Sequence, residues 1–376
     1  MTDRMRVNYL IKRCGLTGGV KAMFQHVKLL RDRGHDANIF TMDPYGYSLF
    51  GVRPIKVVGL GCRDLPHADV AVATTPKDVL EASSLNEKGV AVCHLSQGVQ
   101  AVDLEDRISG RAVPPRYANS PLRYSFKRLS YMNKKRKVDD IYKLKTYKIA
   151  TSRNIQREIE KRYSQNCYLV PYGVNGEAFH PGGGPMGFER GPFNLISVAP
   201  YDVTFKGVPD VIEAVAILKA KGVDVKLTRV SYTPETEIEK KSGVVDRYLK
   251  DLSEDEMGEL YREGHMLLAP SLEGEGFGLP ALEAMNSGIP CVLTEVGSYM
   301  NFDETRDYAC FVPVRSPVAI ADGVERIMKD GVFREGIIRG GLRVAEKYSL
   351  ENTGRVLEEV LAEILGKERA LKEKRP

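Results

Sequence analysis

No stretch of the 376-residue sequence is apolar over the length needed to cross a bilayer. The opening "MTDRMRVNYLIKRCG" also lacks the charged head, long apolar core and small-residue cleavage site of a signal peptide. A cytoplasmic protein is therefore expected. Net charge is scarce too: 55 basic and 50 acidic residues leave +5, too little for a dedicated nucleic-acid binder. Cysteines are few and scattered. Cys14, Cys62, Cys93, Cys167, Cys291 and Cys310 form no C-x-x-C pair, and several lie in apolar runs such as "VAVCHL" and "IPCVLT", so they read as small buried hydrophobes and not as a disulfide frame or zinc site. There is no D-x-D motif, "VDLED" being a poor approximation, and no histidine pair at ligand spacing. The G-x-S-x-G elbow and the G-x-x-x-x-G-K-[ST] loop are both missing, which argues against a serine hydrolase and against ATP hydrolysis.

What the sequence does contain is enough apolar material, 43%, to fill two cores, and its length exceeds that of one. Short apolar runs alternate with helix-like segments almost throughout. In the first half, "VNYLI", "ANIFT", "DVAVAT", "VAVCHL", "KIATS" and "CYLVP" read as strands, with helices such as 20–33 between several of them. Such alternation implies parallel strands joined by crossover helices. It halts at "PGGGPMGFERGP", residues 181–192, whose glycines and prolines suit a linker. It resumes with "FNLISVA", a helix over 208–221, "VDVKLTRV", a helix over 254–263 opened by the capping-box string "SEDE", and "HMLLAP". The expected organisation is a first domain over 1–180, the linker, a second domain over 193–350, and a C-terminal helix over 351–376 crossing back to the first domain. Two doubly wound α/β domains would face a central cleft at their carboxyl strand ends, where ligands bind in such sheets.

The densest constellation is "PSLEGEGFGLPALEAMNSG", residues 270–288, which sets Glu273, Glu275 and Glu283 around a glycine-rich turn. Gly276 and Gly278 permit a close approach of ligand to backbone, Pro280 suits the first helical turn, and Gly288 suits its end. Glu283 is expected within the first turn of that helix. A carboxylate accepts two hydrogen bonds, so a vicinal diol is a better partner for Glu275 and Glu283 than a phosphate. The spacing allows one ligand to carry two sugars.

The full string, Glu275, seven intervening residues and Glu283 within "EGFGLPALEAMNSGIP", resembles the signature of the family-4 retaining glycosyltransferases of GT-B fold. The resemblance implies that Glu275 faces a donor sugar, that the backbone at Gly276, Phe277, Gly278 and Leu279 contacts sugar and phosphate, and that Glu283 holds a nucleotide ribose. "GLTGGVKAMFQHVKLLRDRGHDANIFT" is similar to the family's amino-terminal glycine loop, with Gly18 and Gly19 placed to bring N–H groups against a diphosphate. "VAVCHLSQG" resembles the strand-end segment that carries a histidine near the donor sugar, here His94. One departure stands out. In "VAPYDVTFKGVPD", Lys206 and Gly207 match the family's lysine and glycine, but Tyr201 stands where an arginine is usual. Arg229 and Arg247 are the candidates to supply the missing charge on the diphosphate.

The resemblance thus implies a retaining, metal-independent transferase with catalytic Glu275, His94 and Lys206. It would use a nucleotide-sugar as co-substrate, no cofactor, and a glycan, glycolipid or glycoside as acceptor. Two other readings share these residues: a GT-B sugar phosphorylase or nucleotide-sugar epimerase, and a non-catalytic nucleotide-sugar or anionic-surface binding protein. Finally, "RYANSPLRYSFKRLSYMNKKRKVDDIYKLKTYK", Arg116 to Lys148, gathers much of the basic excess among tyrosines, with only Asp139 and Asp140 as acids. Such a segment attracts an anionic membrane surface at the inner face of the membrane. It carries no nucleic-acid motif. A solvated helical face or mobile loop accounts for the same composition.

Overall fold

The computed structural model describes residues 3–14, 18–44, 48–61, 65–110, 120–182 and 192–373. They form two compact units, one of residues 1–171 with 353–376 and the other of 172–352.

In the first unit the strands are β1 (Arg6–Arg13), β2 (Asp36–Asp43), β3 (Ile55–Lys56), β4 (Val70–Ala73), β5 (Ala91–Ser96), β6 (Tyr147–Ala150) and β7 (Cys167–Leu169). They pair in the order β3-β2-β1-β4-β5-β6-β7, and every pairing is parallel. Runs such as "VNYLI" and "VAVA" are buried at successive positions, as strands covered on both faces must be. Helices α1 (Gly18–Asp32), α2 (Pro76–Ala82), α3 (Gln100–Ser109), α4 (Pro121–Tyr142) and α5 (Arg153–Tyr163) make the crossovers. The strand order reverses between β1 and β4, the switch point of a doubly wound sheet.

The second unit repeats the scheme with β8 (Phe193–Val198), β9 (Val225–Ser231), β10 (Val245–Lys250), β11 (Met266–Ala269), β12 (Cys291–Thr294) and β13 (Cys310–Val312). Their order is β10-β9-β8-β11-β12-β13, again parallel. The helices are α6 (Val208–Ala220), α7 (Glu237–Ser242), α8 (Glu254–Glu263), α9 (Leu279–Asn286), α10 (Gly297–Met300), α11 (Pro317–Lys329) and α12 (Gly331–Lys347). Ser253 caps α8 as its sequence predicts: its side chain accepts from the Glu256 N–H, and the Glu256 carboxylate accepts from the Ser253 N–H at 2.7 Å. Both sheets are thus Rossmann-like and doubly wound, the α/β class expected.

The chain changes unit at Tyr172, ahead of the glycine-proline segment, because the Tyr172 ring meets Phe277 edge-on at 5.1 Å inside the second unit. Residues 183–191 of the expected linker lie outside the described residues. The last helix, α13 (Leu350–Glu373), joins the first unit from Thr353 onward. Leu357, Leu361 and Ile364 enter the core around β1 and α1, and the Tyr147 hydroxyl donates to Glu368 at 2.8 Å. An apolar stripe with this period has to be covered, and the first unit's sheet-and-helix core covers it. No helix among the described residues is long and apolar enough to cross a membrane.

Candidate functional site

In the second unit, the loops leaving β8 and β11 are tied together at the carboxyl edge of the sheet. After β8 the chain turns through Thr204–Lys206 and starts α6 behind Gly207, whose φ of 66° favours glycine. A Cβ at Gly207 would stand 2.0 Å from the Pro270 carbonyl oxygen, so the two loops approach this closely only because position 207 has no side chain. The Leu272 N–H then donates to the Phe205 carbonyl at 2.6 Å.

This junction delivers the Lys206 ammonium to Glu275, with Nζ 2.7 Å from Oε2. The Ser271 hydroxyl donates to the same oxygen at 2.8 Å and lies 2.9 Å from the Tyr299 hydroxyl. Thr294 at the end of β12 in turn donates to the Ser271 carbonyl. Tyr299 is held in its neutral, hydrogen-bonding form: burial first, then the Glu275 charge, raise its pKa well above the usual phenol range. Gly278, with φ 94°, lets this happen, since a Cβ there would fall 2.4 Å from the Tyr299 ring. Glu275 is consequently a buried, fully oriented carboxylate. Its bonds fall on Oε2, and among the described residues none reaches Oε1.

Helix α9 begins immediately after this loop, with Gly278 as its N-cap and Pro280 in its first turn. The start of a helix favours an anion, though here Pro280 has no N–H and the Ala281 N–H donates to the Gly278 carbonyl at 3.0 Å. Glu283 is the fifth helical residue, so it sits on the second turn and not the first, with Oε2 3.4 Å from the Tyr261 hydroxyl. Phe277 is buried among Tyr172, Phe302 and Tyr348, which makes its role in this fold to anchor the loop. Gly276 and Leu279 are half-buried on either side of it.

Of the two arginines expected to replace the missing cation, Arg229 is spent inside the protein and Arg247 lies exposed on the edge of the sheet. Arg229 on β9 is fully buried: Nε lies 3.2 Å from Glu239 Oε1, Nη1 donates to the Ser197 carbonyl at 2.7 Å and to its hydroxyl at 3.0 Å, and Nη2 donates to the Ala199 carbonyl. Its donors are committed to the protein, as a buried guanidinium requires. Arg247 on edge strand β10 pairs instead with Glu263, 3.7 Å away at the end of α8. Tyr201 is half-buried beyond β8, its phenol raised above the usual range by burial and by Glu239 and Asp202.

The first unit holds the other predicted residues. Gly18 and Gly19 open α1. The space beside Gly19 belongs to Gln97, just past β5, whose Nε2 donates to the Gly19 carbonyl at 2.8 Å and whose Oε1 would be 1.8 Å from a Cβ at Gly19. Sequence reasoning missed Gln97. Its only trace was its place in "HLSQG". His94 is not at the strand end: it is buried in β5, its ring 4.6 Å from Tyr142, with Nδ1 lacking a partner among the described residues. Burial, then the Lys148 charge, lower its pKa to about 3. Burial alone lowers His26 to about 4.

Both histidines titrate near 6.5 once unfolded, so the unfolded chain gains protons below that pH while the folded chain does not. Their contribution to stability is complete above pH 6.5 and is lost as pH falls from there toward the folded values. Between pH 7.5 and 5.5 each is expected to cost roughly 1 kcal/mol. Urea unfolding at the two pH values checks this, and His94→Gln should show a shallower loss; an equal loss in that variant would contradict it.

Comparison with known proteins places these geometries in context. Residues 192–330 match the family described as glycosyl transferases group 1. A phosphatidyl-myo-inositol mannosyltransferase of Mycobacterium leprae is 23% identical over 204 residues, 54% of this chain and 54% of that protein. The chain thus spans about half the length of that curated relative. An MMP alpha-(1->4)-mannosyltransferase of Mycolicibacterium hassiacum is 34% identical over 140 residues, 36% of this chain and 32% of its own. Among solved structures, a sucrose-phosphate synthase from Thermosynechococcus elongatus superimposes with a TM-score of 0.74 at 14% identity, covering 97% of this chain and all of its own. HepE of Anabaena in complex with UDP-glucose does so with a TM-score of 0.71 at 13% identity, covering 96% of this chain and 100% of its own. These likenesses establish the fold as GT-B.

Proposed function

We propose that the protein moves a sugar from a nucleotide-diphosphate donor to an acceptor hydroxyl, with retention at the anomeric carbon and without a metal ion or cofactor; the match of residues 192–330 to the glycosyl transferases group 1 family supports this reading. The observation that carries this reading is the Glu275 carboxylate, fixed by Lys206 and Ser271 beside the start of α9. In the proposed reaction the bond between the anomeric carbon and the diphosphate oxygen breaks, and its electron pair passes to the diphosphate. The acceptor oxygen bonds to the same face of the sugar and its proton goes to the departing phosphate oxygen.

Lys206 and the N–H groups opening α9 meet the charge that develops on the leaving group, the kind of preorganised stabilisation that dominates such steps. Glu275 orients a hydroxyl of the donor hexose through Oε1, and Glu283 takes the ribose diol. The acceptor is a glycan, glycolipid or glycoside. The names of the mannosyltransferase relatives and the UDP-glucose bound by HepE make nucleotide-linked mannose and UDP-glucose the first donors to try.

A thermal-shift panel of UDP, GDP, ADP, CMP and TDP with their sugars tests the donor site. One base is expected to stand out, because ligand at about 100 times its Kd stabilises by about 2.7 kcal/mol, or roughly 5–10 °C in a unit of this size. With that donor, free nucleotide diphosphate should appear only when an acceptor is added, and a chelator should leave the rate unchanged. If no nucleotide shifts the transition, the donor-site assignment fails.

A further inference from the structure

Helix α4 is apolar on two opposite sides. Its inner side, Tyr124, Tyr131, Val138 and Tyr142, is buried with Leu104 of α3 and Ile155 and Ile159 of α5 in one cluster of the first unit. Its outer side carries Leu122, Phe126, Leu129 and Met132, which are 74%, 69%, 60% and 52% exposed. At 100° per residue the first three of these fall within about 60° of one another, diametrically opposite Tyr131, and Met132 continues them on one flank. Soluble surfaces seldom leave so many large apolar side chains exposed in one row.

The rim of this stripe is basic. The helix has seven basic residues and two acidic ones. Arg123, Arg128, Lys134, Arg136 and Lys137 are exposed and make no ion pair among the described residues. The acids are confined to the far end, where Asp139 is held by Lys135 at 2.8 Å and Asp140 lies 3.9 Å from Lys143. Lys148, by contrast, is buried and donates to the Leu144 and Thr146 carbonyls, so it belongs to the core and not to this surface.

From this geometry we infer that the outer side of α4 is a docking surface for an anionic lipid membrane, with the four apolar side chains entering the headgroup and acyl boundary and the basic rim resting on lipid phosphates. An apolar row bordered by lysine and arginine is the pattern of a helix that lies in the plane of such an interface. A second copy of the chain fits the face poorly, because a two-fold contact would set the basic rim against itself. On its Met132 flank the stripe borders a hollow lined by Arg128, Lys135 and Arg136 with Glu105 and Asp139, while Leu122, Phe126 and Leu129 protrude to solvent, which suits a deformable surface. The inference goes beyond the proposed transfer and is independent of it.

The test is sedimentation of the full chain with vesicles of pure phosphatidylcholine and with vesicles containing phosphatidylglycerol. Partitioning at least tenfold stronger onto the anionic vesicles is expected, weakening as salt is raised. Phe126→Ser with Leu129→Ser should cut partitioning at least tenfold with the thermal transition unchanged, since both side chains are exposed. Arg136→Ser with Lys137→Ser should weaken it and flatten its salt dependence. Equal partitioning onto both vesicle types, no partitioning, or full partitioning by the Phe126→Ser, Leu129→Ser chain overturns the inference. So does a stable dimer in sedimentation velocity that the same double substitution dissolves.

Discussion

Lys206→Ala is expected to lower turnover by about 10²–10³-fold while the second unit keeps its fold. The ammonium lies 2.7 Å from Glu275 and is held there by a turn that only a glycine at 207 allows. Its removal has two consequences. In the proposed reaction the leaving diphosphate loses the one side-chain cation found at the site among the described residues, and the Glu275 carboxylate, 6% exposed, keeps only the Ser271 hydroxyl against its charge. Because Lys206 acts on charge that develops during the reaction, kcat and kcat/KM should fall together. Lys206→Arg should recover only part of the rate, since the forked guanidinium does not reproduce a compact point charge at the end of a flexible stem.

A double-mutant cycle with Glu275→Gln separates the two consequences. If Lys206 served only to neutralise Glu275, its loss would cost nothing once residue 275 is neutral. The proposal instead expects Lys206→Ala to lower the rate further in the Glu275→Gln background. Steady-state kinetics beside circular-dichroism melting read this out. Turnover of Lys206→Ala within tenfold of the parent, with the fold intact, would sink the assignment.

Arg229→Ala is expected to destabilise the second unit by about 3–5 kcal/mol, because it strands a buried partner. Glu239 is fully buried, and Arg229 also satisfies the Ser197 and Ala199 carbonyls. Glu239 is also the third residue of α7 and closes its capping box, accepting from the Thr236 N–H at 3.0 Å, so the loss propagates to the start of α7. Urea unfolding should show a lower midpoint with an unchanged slope. Arg229→Met with Glu239→Leu removes both charges and should recover much of the stability. Had Arg229 been a diphosphate ligand, the midpoint would stay and nucleotide affinity would drop; that result would reverse the structural assignment.

The contrast between Arg229 and Lys206 shows what a sequence exposes. Both are basic residues near the end of an apolar run. Lys206 could be picked out because Lys206 and Gly207 match the lysine and glycine of the family that the sequence resembles, while Arg229 in "VKLTRVSY" was equally available as a site cation or a core ion pair. Alternation along a strand says which face a residue takes but not which of two covered faces is a ligand's. His94 was open in the same way: it belongs to a strand buried on both sides, two residues short of its end. Gln97 and Tyr299 were invisible because they act across 78 and 28 positions on partners that only folding brings near, and Ser271, though inside the string around Glu275, carried no mark of its bond to that carboxylate. Helix α4 was legible as a basic segment, but its outward apolar row emerged only once the tyrosines were known to face inward.

What the sequence determined by itself was the architecture and the chemical inventory. The alternation of apolar runs and helices dictates two parallel sheets, because βαβ crossovers cover both faces of every strand. The string around Glu275 and Glu283 dictates a tight glycine turn running into a helix. The tertiary structure decided which groups are exposed, paired or spent. It turned Arg229 and His94 inward, left Lys206 on Glu275, and gave α4 a second apolar face. Those outcomes depend on contacts between loops of different strands and on the burial of whole faces, and no local pattern encodes either.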